Sequence, residues 1–327
     1  MPEGPEVESV KRELQELVNQ EVSKAYLTPL ALKYNRYIKQ QGNINQLEKQ
    51  KIHKIERRGK FIIWWFGGIP VVNHLGMTGG WIIQDHLEKL SAYPKVVLEF
   101  VDGSRAVFDD IRNFGRFEIF KDEQDLLKQT ESIRTLGING LEIPFPQRQF
   151  GELLNLKRNQ NKQIGSLLLD QRVVAGVGNI YKSESLFKAK IHPIIPVNNL
   201  SEKEIRELGQ SISDILQLAL ASGGSTIDNF QSPYGSEGKA QEWHKVYSRE
   251  GKACFICKTP IQRIIQNTRS TFFCPSCQPL RDNMVIPEAN IPVKKPKKTT
   301  KKSGKKGTKK AKKKTGRPKK KKSKNPI

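Results

Sequence analysis

The 327-residue sequence predicts an α+β chain built of several modules. Three observations predict it: short apolar segments at strand period between about residues 21 and 120, a change to helical period after residue 146, and four cysteines confined to one window ahead of a Lys-rich tail. The expected division is an N-terminal β-sandwich with a leading helix (1–120), a connecting segment (121–146), a helical domain that includes a polar loop (147–245), a cysteine module (246–280) and a disordered basic tail (281–327).

Val7, Val10, Leu14, Leu17 and Val18 recur at helical spacing, Pro5 suits a first turn, and Glu6 and Glu8 stand where the helix dipole favours acids, so a helix opens the chain. Strands follow at Phe61–Phe66, Val71–Leu75, Trp81–Ile83, Val96–Phe100, Ala106–Phe108 and Phe117–Phe120, with Asp102-Gly103 as a hairpin turn. Several short strands at this spacing suggest a sandwich or barrel. Pro144 and Pro146 close the connecting segment. Helical segments then run from Phe150 to Leu156, Ile164 to Leu169 and Ile180 to Phe187, and a long helix starts at the capping box Ser201-x-x-Glu204 and stops at Gly223-Gly224. Residues 229–242 are polar and glycine-rich and read as a mobile loop. No internal repeat is evident.

The formal net charge of +24 favours a polyanionic partner, because Lys and Arg release counterions from phosphates. Its distribution is uneven: Lys294 to Lys324 holds eighteen Lys, one Arg and no acid, which leaves five of the 24 positive charges for everything before it. That tail reads as a sequence-independent nucleic-acid tether, and an import signal or a solubilising tail would look much the same. Within it, Gly316-Arg317-Pro318-Lys319 resembles the core of an AT-hook. No apolar run reaches membrane-spanning length and the N-terminus lacks a signal-peptide pattern, so an intracellular protein is expected, in a bacterial cytoplasm or nucleoid or a eukaryotic nucleus.

Cys254, Cys257, Cys274 and Cys277 are spaced C-x2-C-x16-C-x2-C, which reads as one tetrahedral four-thiolate zinc site; a pair of disulfides is the alternative. Four thiolates leave no open coordination position, so the zinc is expected to be structural. At the other end, removal of Met1 would free the secondary amine of Pro2 beside the Glu3 carboxylate. Such an amine attacking C1′ of a nucleotide forms an iminium that is already positively charged and draws electrons for strand cleavage, while Glu3 gives and takes protons at the sugar. A plain helix lead-in is the alternative reading of these residues.

The segments Pro2-Glu3-Gly4-Pro5-Glu6-Val7-Glu8, Arg58-Gly59-Lys60, His74-Leu75-Gly76-Met77-Thr78-Gly79, Asp110-Ile111-Arg112-Asn113-Phe114-Gly115, Gly176-Val177-Gly178-Asn179-Ile180-Tyr181 and the cysteine module occur in an order that resembles the formamidopyrimidine-DNA glycosylase and endonuclease VIII family. The likeness spans residues 1 to about 280 and favours the formamidopyrimidine-DNA glycosylase branch. It implies a bifunctional DNA glycosylase and abasic-site lyase of base excision repair, excising 8-oxoguanine and formamidopyrimidines through a Pro2 Schiff base and then β,δ-elimination. It also implies a helix-two-turn-helix domain over 147–245, with a lesion-recognition loop from Ser225 to Trp243. Pro2 is then the nucleophile and Glu3 the acid, Lys60 a phosphate contact and proton donor, and Arg269 a phosphate ligand active in δ-elimination. Met77, Arg112 and Phe114 would plug the gap left by a flipped-out nucleotide, and Asn179 and Lys95 would contact DNA. Taken singly, Met77 and Phe114 are commonly core residues, Lys60 and Arg269 commonly solvated, and Glu184 a helix-surface carboxylate. The implied partner is damaged double-stranded DNA bound by a monomer, with no membrane.

Several positions depart from that pattern. Gly4 stands where the formamidopyrimidine branch usually has Leu, as in the endonuclease VIII branch. Gly165 and Asn161 stand where Lys is frequent, Lys95 where a DNA-contacting His is common, and Ala240 where the loop usually has Phe. These leave open an endonuclease VIII-like activity on oxidised pyrimidines. A non-catalytic zinc-finger DNA-binding protein and an RNA-binding protein acting through the tail are the readings from other classes.

Overall fold

The computed structural model describes residues 1–34, 43–226, 232–282 and 284–292. The Lys-rich tail and its Gly316–Lys319 motif lie outside the described residues, as do residues 227–231 of the expected loop.

In chain order, α1 (Gly4–Glu13) and a 3-10 turn lead into β1 (Val22–Leu27), α2 (Pro29–Tyr34), β2 (Ile52–Arg58), β3 (Phe61–Phe66), β4 (Ile69–His74), β5 (Gly79–Asp85), β6 (Pro94–Phe100), β7 (Ser104–Asp110) and β8 (Arg116–Ile119). The strands form two four-stranded antiparallel sheets, ordered β1-β6-β7-β5 and β2-β3-β4-β8. This is the expected sandwich. Alternation along β3 explains why its six residues are all apolar: Ile62, Trp64 and Phe66 enter the core between the sheets with Trp81, Phe108 and Phe117, while Ile63 faces the opposite side.

That opposite side is covered by the connecting segment, which holds α3 (Glu123–Gln129) and α4 (Glu131–Arg134). Phe120, Leu126 and Ile133 pack there on Ile63 and Val72. A short parallel pair, β9 (Ile138–Asn139) with β10 (Val174–Ala175), ties the segment to the second half of the chain. There α5 (Gln147–Leu154), α6 (Ile164–Leu167), α7 (Asn179–Lys188) and α8 (Glu202–Ala221) enclose a core of their own, including Phe150, Leu168, Tyr181, Leu208 and Leu216. The Ser201 hydroxyl accepts from Glu204 N–H at 3.3 Å and the Glu204 carboxylate accepts from Ser201 N–H at 2.8 Å, which is the capping box the sequence predicts. The last module is a hairpin of β11 (Gln262–Gln266) and β12 (Arg269–Phe273), turned at Asn267 and Thr268, both at positive φ.

Candidate active site

The first residues of the chain are built into the helical half. Glu3 is 4% exposed, and its carboxylate accepts the N–H of Ile180 at 2.9 Å and of Tyr181 at 3.3 Å, at the start of α7. An anion there meets unpaired backbone donors and the positive end of the helix dipole. Gly178 makes this approach possible, since a Cβ at that position would run into the Glu3 carboxylate. Gly4 N–H donates to Gly176 O at 2.8 Å, and a Cβ on Gly4 would come within 3.0 Å of the Gly176 Cα. The Gly176-x-Gly178 turn thus makes room for Glu3 and Gly4, and the Gly at position 4 has a steric reason in this chain.

Glu6, read from sequence only as a helix-dipole acid, completes the cluster. It is buried and accepts from Glu3 N–H at 2.8 Å, from Ser225 N–H at 2.7 Å and from the Tyr181 hydroxyl. Burial pushes its carboxyl above the usual range, and the neighbouring Glu3 pushes the same way. Lys60, on the β2–β3 turn that Gly59 enters at positive φ, is 9% exposed; burial lowers its amine, Glu3 and Glu6 pull it back up, and Arg269 pushes it down. Pro2 is buried at the head of this cluster and Met1 is exposed beside it. Pro2, Glu3 and Lys60 are therefore brought together. Arg269, exposed at the first position of β12, faces them within electrostatic reach of Lys60.

Asn179 opens α7, and its Nδ2 donates to Ser270 O at 2.6 Å, so it sits against the residue that follows Arg269. Met77, Arg112 and Phe114 form a separate group. Met77 is 37% and Phe114 46% exposed, and the Arg112 guanidinium lies 5.2 Å from the Phe114 ring centre. One carboxylate holds their two turns together: Asp110 accepts from the Thr78 hydroxyl at 2.7 Å, from Arg112 N–H at 3.2 Å and from Gly115 N–H at 2.7 Å. Gly76, at φ +68°, lies so close to Phe114 that a Cβ would stand 2.5 Å from its carbonyl carbon. Met77 and Phe114 are exposed turn tips, against the usual place of such residues in a core.

Lys95 lies within electrostatic reach of Asp110, the carboxylate that holds the two tip turns. It is buried on β6, with its amine 5.5 Å from the Tyr34 ring centre and with Asp110 and Asp109 acting on it electrostatically. Glu184 is also buried, and it accepts the N–H groups of Lys245, Val246 and Tyr247 at 2.8 to 3.0 Å, so it anchors the entry to the cysteine module and is not a surface carboxylate.

In that module the four sulfurs lie within 4.8 Å of one another, with separations of 3.8 Å (Cys254–Cys277), 3.3 Å (Cys257–Cys274) and 3.5 Å (Cys257–Cys277). Four sulfurs each about 2.3 Å from a central ion would be about 3.8 Å apart, so the set fits one tetrahedral zinc. No cysteine is in a disulfide.

Residues 1–117 match the formamidopyrimidine-DNA glycosylase N-terminal domain, 137–231 the H2TH domain of the same enzymes, and 251–280 a zinc finger found in FPG and IleRS. The chain belongs to the formamidopyrimidine-DNA glycosylase family. It is 37% identical over 281 residues to the formamidopyrimidine-DNA glycosylase of Ligilactobacillus salivarius, which covers 85% of this chain and 99% of that one, and 35% identical over 283 residues to that of Listeria innocua. Among solved structures, the MutM (FPG) protein of Thermus thermophilus matches with TM-score 0.73 and 34% identity, over 85% of this chain and 98% of that one. A Lactococcus lactis Fpg bound to DNA with an abasic site matches with TM-score 0.73 and 33% identity, over 85% of this chain and all of the other. Membership of the family makes the zinc of the four-thiolate site a structural one. Among the described residues no helix is long and apolar enough to cross a membrane.

Proposed function

We propose that this chain is a base-excision enzyme that removes oxidised bases, 8-oxoguanine and formamidopyrimidines among them, from duplex DNA and then cleaves the strand. The observation that carries the reading is the Glu3 carboxylate, buried next to Pro2 and fixed by two α7 N–H groups. Once Met1 is removed, the Pro2 nitrogen bonds to C1′ of the flipped nucleotide. The C1′–N bond to the base breaks and its electron pair leaves with the base, which takes a proton; the Pro2 nitrogen then gives up its own proton and its lone pair expels O4′, which is protonated as the C1′–O4′ bond breaks, so that Pro2 is left as an iminium on the ring-opened sugar. Loss of a C2′ proton then expels the 3′ phosphate, and a second elimination expels the 5′ phosphate. In this reading Glu3 holds or moves the proton at the sugar, and Lys60, with its lowered amine, serves as proton donor beside the phosphate. Asn179 and Arg269 grip phosphate, while Met77, Arg112 and Phe114 fill the vacated stack. The chain acts as a monomer on damaged DNA inside the cell, and Lys95 would contribute through the fold of β6 and not by touching DNA.

Borohydride reduction in the presence of abasic duplex tests the reading. The processed chain should give a covalent protein–DNA adduct, and the same chain with Met1 retained should give none. An adduct formed through any residue other than Pro2 overturns it.

A further inference from the structure

Lys182 takes no part in the chemistry above, yet it is fully buried three residues into α7 from Asn179. Lysine ordinarily extends its amine to water. Here Nζ donates to Asn179 Oδ1 at 2.9 Å and to Thr271 Oγ1 at 2.6 Å. Because Lys182 takes the Asn179 oxygen and the Ser270 carbonyl takes one Nδ2 hydrogen, the amide is fixed at both ends and keeps its second hydrogen free of that constraint. The Thr271 hydroxyl, accepting from Lys182, sends its own proton to Gln266 Oε1 at 3.0 Å; Gln266 Nε2 then donates to Gln163 Oε1 at 2.7 Å and Pro193 O at 3.0 Å. One amine thus sets the direction of a buried chain of bonds that joins α7 to the finger hairpin and to the residues before α6. Gly165 borders that chain: a Cβ there would run into Gln266 Oε1, so with Gln266 in this place residue 165 has no room for a side chain.

We infer that Lys182 is a positioning residue for phosphate, which locks the Asn179 amide, holds the hairpin bearing Arg269 against α7, and places a cation behind both. This rests on the proposed function, in which Asn179 and Arg269 meet the phosphates beside the lesion. The charged groups that face the amine are Glu3, at the lead into α1, and Arg269, on β12. Burial brings it down to about 7, with Glu3 opposing and Arg269 adding to the fall. An arriving phosphate draws the proton back, so binding charges the site.

The test uses the full chain, Met1 removed and zinc present, and a duplex carrying a tetrahydrofuran abasic analogue. Lys182→Met keeps the stem and loses the amine. It should weaken binding by about ten- to a hundredfold, the scale of a lost hydrogen bond to a charged group. Affinity of the parent should fall between pH 6 and 8.5, and that of Lys182→Met should stay flat. Lys182→Gln, a neutral donor, should recover part of the affinity but none of the pH dependence. If Lys182→Met loses zinc or unfolds, Lys182→Gln and the pH profile of the parent carry the decision. Affinity within twofold of the parent for a folded variant, or a parent profile without pH dependence, overturns the inference. A parent that forms no borohydride adduct with a duplex carrying a natural abasic site defeats the proposed function instead, whereas a parent that forms one while its Lys182 variants bind the tetrahydrofuran duplex unchanged defeats only this inference.

Discussion

The start of the chain buries charge, and the paired turns at Met77 and Phe114 expose apolar surface; each inverts the usual place of its residue types. The buried carboxylates are held by backbone donors from far along the chain, at Ile180, Tyr181 and Ser225. The exposed tips are held by one local carboxylate, Asp110, within the same module. A group that must pass protons at a fixed atom needs its surroundings built before the substrate arrives. A wedge that replaces a lost stacking partner needs only a rigid base. The two regions should therefore fail differently when altered.

The largest effect is expected at the buried end. Glu3→Gln keeps an acceptor for one of the two α7 N–H groups, turns the other oxygen into a donor and removes the acid, so single-turnover excision should drop by about 10²- to 10⁴-fold while duplex affinity changes little. A parallel fall in affinity would show that the buried end also binds. Next is zinc removal by a chelator, which withdraws about 10 kcal/mol or more of folding free energy from the finger. Both excision and affinity should collapse, because β12 carries Arg269 and Thr271, with recovery on adding zinc back as the control. Phe114→Ala and Met77→Ala should each weaken binding to a lesion duplex by about five- to a hundredfold, the scale of one stacked base. Adduct formation on a single-stranded abasic oligonucleotide should be spared, since nothing there needs plugging. Loss on both substrates would erase the distinction between the regions.

The smallest effect concerns stability against acid. Burial pushes His74, His192 and His244 down to about 4 from 6.5. The unfolded chain takes up those protons first, so stability is full above about 6.5 and is lost as pH falls toward 4. Melting temperature should decline across that window. A replacement of His192 by Phe, which keeps the edge contact with Phe273, should reduce the slope.

Much of this was legible in the sequence, and the rest shares a cause. β3, β4 and α8 carry their period and caps in their own residues. β1 and β2 do not: as Val22–Leu27 and Ile52–Arg58 they are the first strands of their sheets, with polar residues on much of their length. The helices α3 and α4 are only seven and four residues long, too short to show a period. Pro2, Glu3, Lys60, Arg269, Asn179 and the tip residues were marked by their motifs. Glu6 was marked only as a helix-dipole acid and Lys182 not at all, since each also has partners far along the chain, 175 to 219 residues away for Glu6 and 89 for Lys182. The burial of Lys95 was not foreseen, because position along a strand does not reveal what covers it.

Contacts between residues 3–6 and residues 176–181 and 225 also order events during synthesis. The first residues leave the ribosome first, yet their surroundings wait on Ser225, and Lys182 waits on Thr271. A nascent chain thus cannot complete the surroundings of Glu3 and Glu6 until Ser225 has been added, more than two hundred residues after them.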